Sequence, residues 1–178
     1  MIILITGGVR SGKSKFAESL LKDKEDVVYI ATARICDHEM EERIKAHRES
    51  RPTYWKTIET TYHLKNAIKE ENYYLLDCLT NLISNIMYDY TRDLECLNME
   101  IQKKVEDIII SEINQLILKI REKDSNLIIV TNEVGFGIVP DNPIGRMFRD
   151  IQGKVNQWVA QLSDQVYMVI CGIPIRLK

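Results

Sequence analysis

The chain opens on a short, largely apolar run, Ile2 to Thr6, rich in β-branched residues and ended by Gly7-Gly8. Such a run predicts a strand buried on both faces that feeds a tight turn. Phe16, Ala17, Leu20 and Leu21 then recur at helical spacing, and Val27 to Ala31 repeats the buried-strand pattern. A helix is predicted from Asp37, which can cap it, to about Glu49, with Pro52 as its stop. A short strand around Trp55 to Ile58, a helix near Tyr62 to Lys69 and a strand from Tyr73 to Asp77 follow.

Leu79 to Tyr90 reads as a helix, and the polar stretch Thr91 to Asn98 as a loop. Ile101, Val105, Ile108, Ile109, Ile113, Leu116, Ile117 and Ile120 keep close to a 3.6-residue period, which predicts a long amphipathic helix. Glu112 is the one polar residue in that stripe. Leu127 to Thr131 is a further strand. Asn142 can cap the last helix, and Pro143 fits its first turn. The stripe of that helix is Ile144, Phe148, Ile151, Val155, Val159 and Leu162. Gln165 to Cys171 and Ile173 to Leu177 close the chain as strands joined at Gly172.

Apolar strands alternating with amphipathic helices predict an α/β fold, a mostly parallel sheet with helices on both faces. No composition break, repeat or low-complexity tract divides the 178 residues, so residues 1–178 are read as one domain. The composition, 45% hydrophobic and 28% charged, is that of an ordinary globular chain. A net charge of −2 gives a nucleic-acid partner little electrostatic support. Cys36, Cys78, Cys96 and Cys171 are scattered without metal-ligand spacing and read as reduced thiols. The N-terminal run lacks a basic leader and nothing approaches the length of a transmembrane segment, so a cytoplasmic location is expected.

One motif carries specific chemistry. Gly7-Gly8-Val9-Arg10-Ser11-Gly12-Lys13-Ser14 matches G-x-x-x-x-G-K-[ST] at every fixed position. It also stands where the motif must stand, after a buried strand and at the start of a helix. The glycines let backbone N–H groups turn inward on phosphate oxygens, and the helix N-terminus adds positive potential. Lys13 brings a full charge to the outer phosphates, and Ser14 can hold Mg²⁺. The fold expected is therefore a P-loop NTPase. Asp77, at the tip of its strand, is the matching carboxylate for Mg²⁺, and capping the next helix is compatible with that role. Glu133 is a second candidate at the same sheet edge.

Met40, Ile44 and His47 share one helical face, with Arg43, Arg48 and Arg51 close by. Basic neighbours suit a polyphosphate tail and favour a neutral, nucleophilic imidazole. A lone helical histidine is nonetheless more often structural, and spacing alone leaves both roles open.

The segments ITGGVRSGKSKFAE, YIATA and EMEERIKAHRESRPTYWKTIE resemble the bifunctional adenosylcobinamide kinase/adenosylcobinamide-phosphate guanylyltransferase family. LLDCLTNLISN, IIVTNEVGFGIVP, FRDIQGKVNQ and GIPIRLK extend the likeness to the C-terminus. Leu82 stands where many members carry an aromatic, a difference of packing. The resemblance implies a RecA-like sheet and a homotrimer. It implies His47 as the residue that carries a covalent guanylyl group, and Lys13 as its catalytic partner on the phosphates. It implies nucleotide contacts at Gly7 through Ser14, at Thr32, Ala33 and Arg34, at Arg48, Glu49, Ser50 and Arg51, and at Glu59 and Asp77. Glu59 can accept two hydrogen bonds from the guanine edge, which adenine cannot offer.

The implied substrates are GTP and ATP, with Mg²⁺ held by Ser14 and Asp77, and a corrinoid: adenosylcobinamide and its phosphate. The enzyme would phosphorylate the first and then pass GMP to the second. On residues alone, a P-loop small-molecule kinase without a covalent step and a RecA-like ATPase module remain alternatives. A nucleotide-binding regulator without turnover is a third. The segment Asp141 to Arg149 is a positional candidate for corrinoid contact.

Overall fold

The structure is a computed structural model that describes residues 1–35, 38–49, 51–94 and 96–178; for Glu39, Met40, Arg43, Ala46, His47 and Glu49 it describes the helical backbone alone. Among the described residues the strands are β1 (Ile2–Thr6), β2 (Val27–Ala31), β3 (Lys56–Glu59), β4 (Tyr73–Asp77), β5 (Asn126–Val130), β6 (Gln165–Ile170) and β7 (Ile173–Arg176). The helices are α1 (Lys13–Leu20), α2 (His38–Glu49), α3 (Leu79–Thr91), α4 (Met99–Glu122) and α5 (Pro143–Leu162).

The strands form one sheet in the order β3-β2-β4-β5-β1-β6-β7. Every neighbouring pair is parallel except β6 and β7, which run antiparallel. Cys171 and Gly172 both take positive φ, 52° and 80°, and turn the chain between those two strands. Two left-handed residues give a tight hairpin the twist its strands need.

Strand alternation sorts side chains onto two apolar layers. Ile2 and Leu4 of β1, Tyr74 and Leu76 of β4, and Leu127 and Ile129 of β5 pack under α3, α4 and α5. Ile3, Ile5, Leu75, Ile128 and Val130 point the other way, into a smaller layer with Ala17 and Leu21 and with Trp55. Burial on both faces explains why these strands read as unbroken apolar runs. The α4 and α5 stripes are buried as their periodicity predicts, though Ile108 and Ile144 remain at the surface. Asn98 caps α4, its Oδ1 accepting from the Ile101 amide at 2.9 Å, and Asn142 caps α5 in the same way from Gly145 at 2.7 Å. The Asp37 cap lies outside the described residues.

Two expectations change. The N-cap of α3 is Cys78 rather than Asp77, and among the described residues no side chain caps that helix. The helix predicted near Tyr62 to Lys69 is a single 3₁₀ turn, Leu64–Ala67. His63 takes a left-handed backbone (φ 55°, ψ 43°) and Ile68 is already extended, which leaves no room for regular helix. The Leu64 amide, an orphan donor at the start of that turn, donates to Glu112 Oε1 at 2.6 Å. That bond accounts for the polar residue within the apolar stripe of α4.

A second tether joins the segment after β2 to α3. Arg34 donates to both oxygens of Asp89, at 2.8 and 2.6 Å. The guanidinium lies 5.4 Å from the centroid of the Tyr62 ring, and the Tyr62 hydroxyl donates to the same carboxylate. Hydrogen bonds from Arg34 and then Tyr62 lower the Asp89 pKa to about 2. Among the described residues no helix is long and apolar enough to cross a membrane.

Two outcomes follow from this packing. Leu76 is fully buried in the three-helix layer; Leu76→Ala will cost about 3 kcal/mol in urea unfolding. The Asp89 carboxyl has a folded pKa below its unfolded one, so its contribution is full above the unfolded value and fades as pH falls towards about 2. The pair is partly exposed, and Asp89→Asn will lower stability by about 1 kcal/mol at neutral pH. In acid unfolding series the gap between wild type and variant will close below about pH 4.

Candidate active site

The loop Gly7 to Ser14 leaves the tip of β1 and enters α1 at Gly12, whose φ of 97° is left-handed. A Cβ on Gly7 would stand 2.4 Å from the Val169 carbonyl oxygen of β6, and one on Gly12 would stand 3.2 Å from Gly172 Cα. The Gly172 amide donates to the Ser11 carbonyl at 2.8 Å. The loop therefore rests on the β6–β7 hairpin, and side chains at Gly7 and Gly12 would lift it off. Lys13 is buried, and its Nζ donates to the Gly8 carbonyl at 2.7 Å. Burial lowers its pKa. The Ser11 hydroxyl oxygen is buried without a partner among the described residues, a donor-rich loop's spare polar group.

Register sets the width of the site. Val130 of β5 pairs with Ile5 of β1 on one side and with Asp77 of β4 on the other. Asp77 is thus level with the root of the loop but one strand removed, roughly 10 Å across at ordinary strand spacing. That gap opens into a cleft of about 530 Å³, of a size that holds a nucleotide. Val9 through Ser14 form one wall; Asp77 and Cys78 stand at its floor; Ala33, Ile44, Arg51 and Glu59 line the far side.

Asp77 Oδ2 accepts from the Tyr29 hydroxyl at 2.8 Å. The Arg51 guanidinium lies 3.5 Å from the centroid of the Tyr29 ring. Glu18 of α1 faces the same group, and burial, then the charge of Asp77, raises its pKa. The Cys78 thiol is pushed up to about 12 by burial, which removes it as a nucleophile at neutral pH. Ser14 and Asp77 both face the cleft. Among the described residues there is no cluster of three or more His, Cys, Asp or Glu side chains that could enclose a metal. One hydroxyl and one carboxylate, completed by phosphate oxygens and water, fit Mg²⁺, which keeps most of its shell outside the protein.

The other predicted positions divide. Thr32 is fully buried; its hydroxyl donates to the Cys78 carbonyl at 2.6 Å and accepts from the Cys78 amide at 3.0 Å, and its own carbonyl is taken by Asn85. Its side chain joins β2 to β4 and is spent there. Arg34 is committed to Asp89. Glu133 turns into its own loop, Oε1 accepting from the Gly135 amide at 2.7 Å, while its amide donates to the Gly7 carbonyl. It braces the P-loop, and Asn132 is the cleft residue at that strand tip. Arg146 likewise holds the carbonyls of Pro140 and Asp141.

Arg48 and Glu59 form an ion pair at the edge of the sheet, beside a second, open hollow that Arg51 also lines. Ile44 of α2 reaches the main cleft, and His47 follows it by one turn on the same helix. The side chains of His47 and Glu49, and Ser50, lie outside the described residues. Tyr29, Asn81 and Asn132 belong to the cleft and were not anticipated. The polar tip of Tyr29 in the otherwise apolar VVYIA is the one sequence signal that could have marked it.

Comparisons agree with this geometry. The family model described as cobinamide kinase / cobinamide phosphate guanyltransferase matches residues 3–177. The chain is 42% identical to the bifunctional adenosylcobalamin biosynthesis protein CobU of Escherichia coli (strain K12), with all of both chains covered. It is 34% identical to the bifunctional adenosylcobalamin biosynthesis protein CobP of Pseudomonas aeruginosa, covering 98% of this chain and 96% of that protein. A solved ATPase from the type III secretion system of pathogenic bacteria aligns with a TM-score of 0.52 at 13% identity over 94% of this chain. This chain spans about half, 51%, of that structure, and the likeness is one of fold. A P-loop α/β sheet, a nucleotide-sized cleft and relatives matched end to end place the chain in the cobinamide kinase / cobinamide phosphate guanyltransferase family.

Proposed function

We propose that one cleft serves both reactions, and that its two walls divide the labour. In the first, the γ-phosphoryl group of ATP or GTP passes to the hydroxyl of adenosylcobinamide's aminopropanol arm. The bond from the γ-phosphorus to the β-bridging oxygen breaks, and a nucleoside diphosphate leaves. Lys13 and the loop amides hold the β- and γ-oxygens and stabilise charge as it moves onto the leaving group. Mg²⁺, held by Ser14 and Asp77, would neutralise charge on the same oxygens.

In the second, a ring nitrogen of neutral His47 attacks the α-phosphorus of GTP. A P–N bond forms and pyrophosphate leaves. The phosphate of adenosylcobinamide phosphate then attacks the same phosphorus, the P–N bond breaks, and adenosylcobinamide-GDP is released. Arg48 and Arg51, next to His47 in sequence, would hold the phosphate chain, and Glu59 would read the guanine edge. The observation that carries this reading is the composition of the cleft: the P-loop, Asp77, Ile44 of α2, Arg51 and Glu59 all face one cavity.

The ion pair between Arg48 and Glu59 is compatible with guanine recognition. Both side chains are more than half exposed, and such a pair is worth about 1 kcal/mol or less. A guanine that gives Glu59 two directed hydrogen bonds displaces Arg48 at small cost, and the freed guanidinium is then available to phosphate. A cytoplasmic homotrimer completes the reading.

Protein mixed with Mg²⁺ and GTP labelled at the α-phosphate will retain label after denaturation. That label will be lost in acid, kept in alkali, absent with ATP and abolished by His47→Ala. An unlabelled protein that still phosphorylates adenosylcobinamide would sink the covalent step. Glu59→Gln will lower the preference for GTP over ATP in labelling by about tenfold or more, because a reading site loses most when its directed polar group is removed.

A further inference from the structure

The strongest unassigned feature beside the cleft is Tyr29. It sits on β2 opposite Leu75 of β4, and its side chain enters the α1-side layer, where it is 3% exposed. A tyrosine that served only to fill this layer could be phenylalanine. Instead the hydroxyl crosses to β4 and donates to Asp77 Oδ2 at 2.8 Å. A buried phenol takes a partner, and here the partner is a carboxylate at the floor of the nucleotide cleft.

Two consequences follow for the charged groups around it. With Oδ2 engaged, the Asp77 carboxylate is restrained where it lines the cleft. The ring carries a second load, since the Arg51 guanidinium lies 3.5 Å from its centroid, within the range of a cation–π contact. Asp77 belongs to the phosphoryl-transfer wall of the cleft, and Arg51 to the segment that follows His47. Tyr29 touches both.

We propose that Tyr29 is a positioning residue that fixes the Asp77 carboxylate through its hydroxyl and the Arg51 guanidinium through its ring, so that the metal end and the histidine end of the cleft keep one spacing. This rests on the reading of Asp77 as the metal carboxylate. A hydrogen bond behind a metal ligand orients it and is worth about 10–100-fold in metal affinity.

The test is Mn²⁺ binding, followed by electron paramagnetic resonance, to full-length protein saturated with the α,β-methylene analogue of GTP, which cannot pass on its guanylyl group, with no corrinoid present to accept the γ-phosphoryl group. Tyr29→Phe keeps the ring and the packing; it will weaken Mn²⁺ binding about tenfold and leave metal-free affinity for the analogue unchanged. Tyr29→Leu removes the ring as well and will also weaken metal-free binding of the analogue about threefold. Thermal unfolding of both variants checks the fold, and if Tyr29→Leu does not fold, Tyr29→Phe decides alone. Unchanged Mn²⁺ affinity in Tyr29→Phe, with Asp77→Asn weakened, would overturn the positioning role only. Unchanged affinity in Asp77→Asn would overturn the metal reading and the proposal together. Unchanged metal-free affinity in Tyr29→Leu would remove Arg51 from it.

Discussion

The tightest constraint in the molecule is the seat of the phosphate loop on the last hairpin. Gly7 lies against the Val169 carbonyl with no room for a Cβ, and the Gly172 amide holds the Ser11 carbonyl from the other side. The anion-binding loop near the N-terminus is therefore shaped by residues near the C-terminus. The hairpin closes through two left-handed residues, Cys171 and Gly172, and its turn is what reaches the loop. Everything else about the cleft is measured from that seat: α1 starts from it, β5 separates it from β4, and the strand register brings Asp77 level with it.

Two arginine–carboxylate pairs near the cleft show how exposure separates a tether from a latch. Arg34 and Asp89 are about 30% exposed, bidentate, and joined by Tyr62. Arg48 and Glu59 are more than half exposed and meet through a single Nη2–Oε1 contact. The first pair holds the chain after β2 to α3 and is unsuited to leaving for a ligand. The second is worth too little to resist a directed competitor. The resemblance treats Arg34 and Arg48 alike, as nucleotide contacts; the geometry gives them different work.

The sheet was legible in the sequence because burial on both faces leaves an unambiguous apolar signature. β1, β2, β4 and β5 fall where VVYIA, YYLLD and their fellows predicted, within a residue at the ends. The P-loop was legible because its chemistry demands fixed residues at fixed spacing. Three features were not. The 3₁₀ turn at Leu64–Ala67 replaces a helix because a left-handed His63 and the distant Glu112 decide it, and propensity sees neither. The inward commitment of Thr32 and the turning away of Glu133 depend on partners far along the chain. Tyr29 was hidden because a buried tyrosine in a strand looks like core until its hydroxyl is followed to Asp77.

Lys13 shows how the cleft is prepared for anions. Its ammonium is buried, which lowers its pKa, and its hydrogen-bond partner among the described residues, the Gly8 carbonyl, is neutral. A buried cation that donates to a neutral carbonyl, with the Asp77 carboxylate acting only through space, is incompletely compensated. The neighbouring loop is rich in donors and its Ser11 hydroxyl oxygen is without a partner among the described residues. Each of these groups is better satisfied by a phosphate oxygen than by anything the protein offers. The cost of holding them in place is met during folding, chiefly by the apolar layers under the sheet, so that little reorganisation is left when a triphosphate arrives. That preorganisation acts equally on ATP and GTP. On the proposed reading, discrimination between the two bases comes from the other end of the cleft, where Glu59 stands, and not from the loop.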